Sequence, residues 1–319
     1  MKVQITVIPG DGIGQEVIPA AVHVLQALNL PLEFHHPDAG FATFEQQGDA
    51  LPADTLALCA ASDAVLFGAT ASPMIKVAGY VSPILTLRQY FDLYANLRPA
   101  VSGGVDLLIV RENTEGLYSR RERVEDGGET AIAERVITAR ASERIVRAAC
   151  EQARKRRGKL TIVHKANVLK ETCGLFRRVA LHVAAEYPEL QVDELLVDTM
   201  ALSLATDARA FDVIVTTNLF GDILSDLAAG LTGGLGMAPS ANIGSGRLAV
   251  FEPVHGSAPD ITGQDRADPR AAILSAALML DWLGLSEPAA LLRRLTYATA
   301  HTGSTRQTTS AICAALSQE

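Results

Sequence analysis

Apolar, β-branched runs of five to seven residues alternate with longer stretches of helical period along the chain. VQITVI precedes a helical pattern over 16–28. DAVLFGA, DLLIV, LTIVH and DVIVTTN are the later runs, with helices predicted over 142–155, over 169–187 and from about residue 220. Short runs that are hydrophobic on both faces belong in a sheet covered by helices, so the pattern predicts a doubly wound or related α/β fold. One segment departs from it. Between 118 and 138, YSRRERV and ETAIAERVI flank EDGG, and an Asp-Gly step between two alternating runs signals a hairpin, either an edge ribbon or a dimerisation arm.

Composition narrows the picture. The 319 residues suggest two domains or one large one, and 48% hydrophobic against 20% charged residues excludes a disordered chain. A net charge of -8 disfavours nucleic acid and anionic membrane surfaces as partners. No apolar run approaches the ~20 residues that span a bilayer, the longest being the interrupted stretch at 271–280. The N-terminal MKVQITVIPGDGIG reads as a strand entering a Gly-rich turn and not as a signal peptide, which makes a cytoplasmic protein the expectation. Cys59, Cys150, Cys173 and Cys313 are widely spaced, so buried free thiols are expected, with neither a disulfide framework nor a zinc site.

Four motifs carry candidate chemistry. GDGIG at 10–14 follows a strand and precedes a helix, as a dinucleotide fingerprint does. Residue 15 is Gln, however, which breaks the G-x-G-x-x-G spacing, and no strand ending in an acidic residue follows about 20 residues on. A glycine-rich turn near a ligand, or a structural turn, remains. In GDILSD, Asp222 and Asp226 stand four apart near the start of a helix, hence on one face, at the carboxyl end of a strand where open α/β sheets place ligands. A divalent metal or a complement to the helix dipole would account for the pair, and without Cys or His the metal would be Mg or Mn and not Zn.

Arg88, Arg98 and Arg111 form a set of guanidinium forks able to bind carboxylates, though each singly reads as a surface ion pair. The same stretch as Arg111 supplies Tyr118, and a later strand end supplies Lys165 in VHKAN, two side chains able to move protons. In FEPVHGSAPDITG at 251–263, small residues around His255 would let backbone N–H groups approach a phosphate. His255 could stack on a base and Asp260 could accept from ribose hydroxyls, but a structural turn fits equally.

Together GDGIG, ANLRP, RENTEGLY, HKANVL, TTNLFGDILSDLAAGLTGGLG and EPVHGSAPDI, in this order and over almost the whole chain, resemble the β-decarboxylating dehydrogenases. That family comprises the isocitrate, 3-isopropylmalate and homoisocitrate dehydrogenases. The resemblance implies an isopropylmalate-dehydrogenase-like two-domain α/β fold with a central mixed sheet flanked by helices and a protruding hairpin arm. The large cofactor-binding domain would comprise 1–98 and 233–319, and the smaller dimerisation domain 99–232 would carry the arm at about 118–138. Besides a small-molecule substrate, the implied partner is a second copy of the chain, in a dimer or tetramer with active sites shared between subunits.

The resemblance also assigns roles. Asp222 and Asp226, with Asp198 from the neighbouring subunit, would hold Mg or Mn. Lys165, also from the neighbour, would take the substrate's hydroxyl proton as hydride leaves for the nicotinamide, and Tyr118 would protonate the enolate left by decarboxylation. Arg88, Arg98 and Arg111 would fix the two malate-type carboxylates, with Ser72, Ile84 and Leu85 beside the substrate. Ile13, Thr70, Asn167, His255, Gly256, Ser257, Ala258, Asp260, Ile261 and Asp268 would bind the cofactor. Asp260-Ile261 matches members that use NAD, where NADP users tend to have Lys-Tyr. Two departures are Asp268, where the family usually has Asn, and the shortened stretch AHTGSTRQTTSA near the C-terminus.

Substrate choice should lie in VSPILTLR, where Ile84 and Leu85 precede Arg88 by four and three residues and share its helical face. Isocitrate enzymes similar to the bacterial NADP type have Ser and Asn six and four residues before this arginine; here Ser82 remains and Ile84 replaces the Asn. Isopropylmalate enzymes usually have Leu-Leu at 84–85 and Glu at the position of Val81. DAGFATFEQQG, SPMIKV and DLYANLRP look most like homoisocitrate dehydrogenases of lysine biosynthesis, although those of thermophilic bacteria have Arg at the position of Leu85. Homoisocitrate is the expected substrate, with 3-isopropylmalate or a broad range that includes isocitrate as alternatives.

Overall fold

The computed structural model describes residues 2–319. From the N-terminus come β1 (Val3–Gly10), α1 (Gly14–Ala27), β2 (Leu32–His35), α2 (Phe41–Gln47), α3 (Ala53–Ala61), β3 (Ala64–Ala69) and α4 (Pro83–Tyr90). Next are β4 (Ala95–Ser102), β5 (Val105–Glu112), β6 (Glu122–Glu125), β7 (Thr130–Ala133), α5 (Ala139–Arg154), β8 (Lys159–His164), α6 (Thr172–Ala184), β9 (Gln191–Leu196), α7 (Val197–Asp207), β10 (Val213–Thr216) and α8 (Asn218–Leu231). The chain ends with β11 (Pro239–Ile243), β12 (Val250–Pro253), α9 (Arg270–Trp282), α10 (Ser286–Ala298) and α11 (Thr305–Leu316). It divides into two compact units, Met1–Asp92 with Leu235–Glu319, and Leu93–Gly234. Residue 98 thus lies inside β4, which belongs whole to the second unit.

In the first unit the strand order is β2-β1-β3-β12-β11, parallel except for the antiparallel pair β11 and β12. β3 is buried over its whole length, as a run that is apolar on both faces requires. α9, buried along nearly its full length, packs on β12 and against α1 and α10. Its apolar 271–280 stretch is therefore a core helix. Among the described residues no helix is long and apolar enough to cross a membrane.

The second unit orders its strands β4-β5-β10-β8-β9, with β4 antiparallel to β5 and the rest parallel. Ala100, Leu107, Ile109, Val163 and Ile214 form one face and pack against Met200 and Leu204 of α7 and Leu224 and Ala228 of α8. The two-residue period of a strand extends that face into polar positions: Asn96 and Arg98 continue from Ala100, and Arg111 continues from Ile109. The register pairs Arg98 with Ile109 and Asn96 with Arg111, so both arginines come up beside α8. β6 and β7 form the hairpin signalled by EDGG, with Glu125 opposite Thr130 and Asp126 and Gly127 at positive φ in the turn.

Cys59, Cys150 and Cys173 are buried and Cys313 partly so, all as free thiols; burial pushes Cys59 and Cys150 up to about 12. Truncation should separate core from hairpin. Ile109→Ala, at a fully buried site, should cost about 2–5 kcal/mol in urea unfolding. Val124→Ala, exposed on β6, should stay within about 0.5 kcal/mol.

Candidate active site

Asp222 is the point on which the second unit's polar side chains converge. Its Oδ1 accepts from Arg111 Nη1 in a close ion pair and from Arg98 Nη1 at 3.2 Å, and its Oδ2 accepts the Tyr118 hydroxyl at 2.5 Å. The guanidiniums are themselves held by neighbours. Asn218 Oδ1 accepts from Arg111 Nη2 at 2.8 Å and from Nε at 3.2 Å. For Arg98, Asn96 Oδ1 accepts from Nε at 2.6 Å and Ser225 Oγ from Nη1 at 2.7 Å. Paired in this way, the buried arginines lie against a partly exposed carboxylate without an uncompensated charge.

The arrangement depends on one glycine. A Cβ at Gly221 would stand 2.6 Å from Arg111 Cγ and 2.7 Å from its Cβ, so only glycine lets α8 pass over β5 at this point. One turn after Asp222, Asp226 lies 3.5 Å from Arg98 Nη1 with its side chain more than half exposed. Burial raises the Asp226 carboxyl above its ordinary value, Arg98 opposes the shift, and the negative charge of Asp222 adds to it. A cation bridging the pair would relieve that repulsion. The donors are all carboxylate oxygens, the set that suits a hard divalent ion such as Mg or Mn.

Tyr118 sits in a short 3-10 turn, Leu117–Ser119, with the Arg111 guanidinium 5.0 Å from its ring centre. Burial, and then its hydrogen bond to Asp222, raise the phenol above its ordinary value, which keeps it protonated and able to donate at neutral pH. Lys165 follows β8, and its Nζ donates to Asp198 Oδ1 at the start of α7, holding the Asp198 carboxyl below the usual range. Asp198 is thus engaged with Lys165, and among the described residues no three His, Cys, Asp or Glu side chains are grouped to hold a metal. Asn167 is exposed just beyond Lys165.

Arg88 and the loop after β12 belong to the first unit. Arg88, in the last turn of α4, donates through Nη2 to Glu252 Oε1 at 2.8 Å, and Asn242 Nδ2 donates to the same oxygen at 2.8 Å. The buried Arg88 Nε has no partner among the described residues. Ile84 and Leu85 are half-buried on α4, Ser72 is exposed, and Thr70 Oγ1 lies 3.4 Å from Ser82 Oγ. Of the cofactor candidates, Ile13 N–H donates to Ser257 O at 2.9 Å, and Ala258 adopts φ +39°. Gly256 and Asp260 are exposed, and Ile261 is half-buried.

The His255 ring buries its Nε2 without a hydrogen-bond partner, an orphaned polar atom of the kind that a ligand group completes. Asp268 is committed elsewhere: its Oδ2 accepts from Arg270 Nη2 at 2.7 Å and its Oδ1 from Arg270 N at 3.0 Å. Sequence reasoning does not single out Asn96, Asn218, Ser225, Gly221 or Glu252. Their signals lie inside the site motifs, with Asn96 two before Arg98 on a strand, and Asn218 and Ser225 four before and three after Asp222 on a helix.

Residues 4–316 match the family model described as isocitrate/isopropylmalate dehydrogenase. The chain is 55% identical over 297 residues to the isocitrate/homoisocitrate dehydrogenase of Thermus thermophilus, covering 91% of this chain and 88% of that one. It is 51% identical over 295 residues to the 3-isopropylmalate dehydrogenase of Archaeoglobus fulgidus, covering 90% and 88%. The solved structure of isocitrate dehydrogenase from Methylococcus capsulatus superposes with a TM-score of 0.93 at 41% identity, covering 98% and 99%.

Gly221→Ala should displace the Arg111 side chain, cost about 1–3 kcal/mol and lower turnover; wild-type stability and turnover would contradict the packing described for α8. Burial lowers the His255 and His164 imidazoles from the ordinary 6.5. With folded values below the unfolded one, the unfolded chain takes up protons first as the pH falls through about 6.5, so stability is lost from there downward. Melting temperatures should fall between about pH 7 and 5.5, and less steeply for His255→Asn; equal slopes would remove His255 from the effect.

Proposed function

Because the chain belongs to the isocitrate/isopropylmalate dehydrogenase family and is thus a β-decarboxylating dehydrogenase, we propose that it oxidises (2R,3S)-homoisocitrate to 2-oxoadipate with NAD, a step of lysine biosynthesis. The family uses NAD(P) and a divalent metal. The observation that carries the catalytic reading is the convergence of Arg98, Arg111 and Tyr118 on Asp222. One side chain there would serve a bound cation while the arginines beside it hold the substrate's carboxylates.

Asp222 and Asp226, with Asp198 of a second subunit, would hold Mg or Mn, which when bound supplies Lewis-acid polarisation of the hydroxyl and carboxylate oxygens. Arg98 and Arg111, together with Arg88, orient the malate half so that the bond to the departing carboxylate is aligned for cleavage. Lys165, like Asp198 contributed by the second subunit, would take the C2 hydroxyl proton, and a bound nicotinamide would supply the acceptor for the hydride from C2. The resulting β-keto acid loses carbon dioxide, and the Tyr118 hydroxyl gives its proton to C3 of the enolate. Pairing between copies is supported by exposed Leu202, one turn after Asp198 on α7, and exposed Ile223 beside Asp222 on α8. Apolar side chains on these helices beside the carboxylates suit a shared, dimeric site.

NAD is favoured by exposed Asp260, a carboxylate that would accept from ribose hydroxyls and repel a 2′-phosphate, with Ile and no basic residue at 261. Homoisocitrate is favoured by the match to the Thermus isocitrate/homoisocitrate enzyme. The half-buried apolar Ile84 and Leu85 favour 3-isopropylmalate as a second reading, because an apolar pocket discriminates weakly between apolar groups of similar size.

NADH formation with Mg or Mn should give the highest kcat/KM for homoisocitrate among homoisocitrate, isocitrate and 3-isopropylmalate. A lead for 3-isopropylmalate would move the assignment to leucine biosynthesis. Lys165→Met should lower kcat at least about a hundredfold with folding intact; near-wild-type turnover would remove Lys165 from proton transfer.

A further inference from the structure

The glycines of the GDGIG turn face protein backbone. A Cβ would stand 2.0 Å from Ala69 O at Gly10, 2.1 Å from Ser257 O at Gly12 and 2.1 Å from Pro9 O at Gly14. The turn is therefore packed on its neighbours where a dinucleotide fingerprint leaves room for phosphate. Its acidic residues are also spent on the chain. Asp11 accepts from the N–H groups of Phe41 at 2.7 Å, Ala71 at 2.9 Å and Ala42 at 3.0 Å. Glu16, in the first turn of α1, accepts from Gly263 N–H through Oε1 at 2.7 Å and from Asp265 N–H through Oε2 at 3.0 Å.

Those two amides close the far end of the loop that carries Asp260 and Ile261. Its near end is held by Ile13 N–H on Ser257 O. The loop does not keep this shape by local preference, since Ala258 and Asp265, neither of them glycine, adopt φ of +39° and +56°. Asp265 passes the constraint on to α11: its carbonyl accepts from Thr305 N–H at 3.0 Å, its Oδ2 from the Ser304 hydroxyl at 2.6 Å and its Oδ1 from Arg306 N–H at 3.0 Å. The shortened C-terminal stretch is thus docked on the loop through Asp265, and Asp265 is docked on Glu16.

We propose that Glu16 is a positioning residue for the dinucleotide, holding the Ser257–Asp265 loop in its binding shape before the cofactor arrives. The role rests on the cofactor site proposed for that loop. A carboxylate that accepts two backbone N–H groups makes charge-assisted bonds that a neutral side chain does not replace. Ordering the loop in advance removes a cost that binding would otherwise bear, so Glu16 should act on cofactor affinity and leave the chemical step unchanged.

The test compares wild type, Glu16→Gln and Glu16→Ala by NADH fluorescence titration, by KM for NAD and for the hydroxy acid, by kcat at saturation and by Tm. Glu16→Ala should raise the NADH Kd and the KM for NAD about tenfold. Glu16→Gln, with one acceptor oxygen and an amide that opposes the second N–H, should fall between the two. In both variants kcat and KM for the hydroxy acid should stay within about twofold of wild type. A lower Tm with wild-type NADH affinity would reduce Glu16 to a fold-stabilising residue and overturn the proposal, as would an equal rise in KM for both substrates. A wild-type chain that binds no NADH would overturn the cofactor site itself, whereas wild-type binding matched by Glu16→Ala overturns the positioning role alone.

Discussion

The convergence of two buried guanidiniums and a phenol on the Asp222 carboxylate is the interaction on which the second unit's site depends. Arginines at this depth need a negative partner, and a carboxylate beside a second carboxylate needs positive charge. Each requirement meets the other here. The backbone enforces the meeting: alternate residues of β4 and β5 bring Arg98 and Arg111 to one face, and Gly221 lets α8 come close enough to present Asp222. The polar end of that face continues directly from an apolar core, so packing of Ile109 and Leu224 sets where the charges stand.

The first unit solves a different problem, that of holding an exposed loop in a shape its residues do not prefer. The N–H groups of residues 13, 263 and 265 and the carboxylate of Glu16 tie the loop to the β1–α1 turn. Tight glycine contacts at Gly10, Gly12 and Gly14 make that turn a rigid anchor. His255, neutral because burial lowers it, keeps an unfilled polar atom next to this loop.

Much of this was legible in the residues. Runs such as AVLFGA, apolar at every position, became strands buried on both faces, and the Asp-Gly step between alternating runs became the β6–β7 hairpin. Asp222 and Asp226 share a helical face because four residues make about one turn. What remained hidden was side-chain traffic between distant segments. The spacing of Arg98 does not tell that Ser225, 127 residues on, accepts from it. Nor does GDGIGQE tell that Glu16 reaches amides 247 and 249 residues away. The likeness of GDGIG to a phosphate-binding turn, which Gln15 already breaks, has a physical source: glycine is required wherever backbone approaches closely, and here the approaching group is a carbonyl of the chain itself.

The most direct measurement of Asp222's place at the centre of the site is Mn binding, followed by the loss of the free-ion EPR signal in wild type and in Asp222→Asn. The amide keeps the shape of the side chain and can still accept from Arg111, but it removes the charge that a cation needs. Mn should bind wild type and lose at least about tenfold in affinity in Asp222→Asn, while the far-ultraviolet circular dichroism stays unchanged. Equal Mn affinity in the two folded proteins would mean that Asp222 serves the arginines alone and that the metal site lies elsewhere.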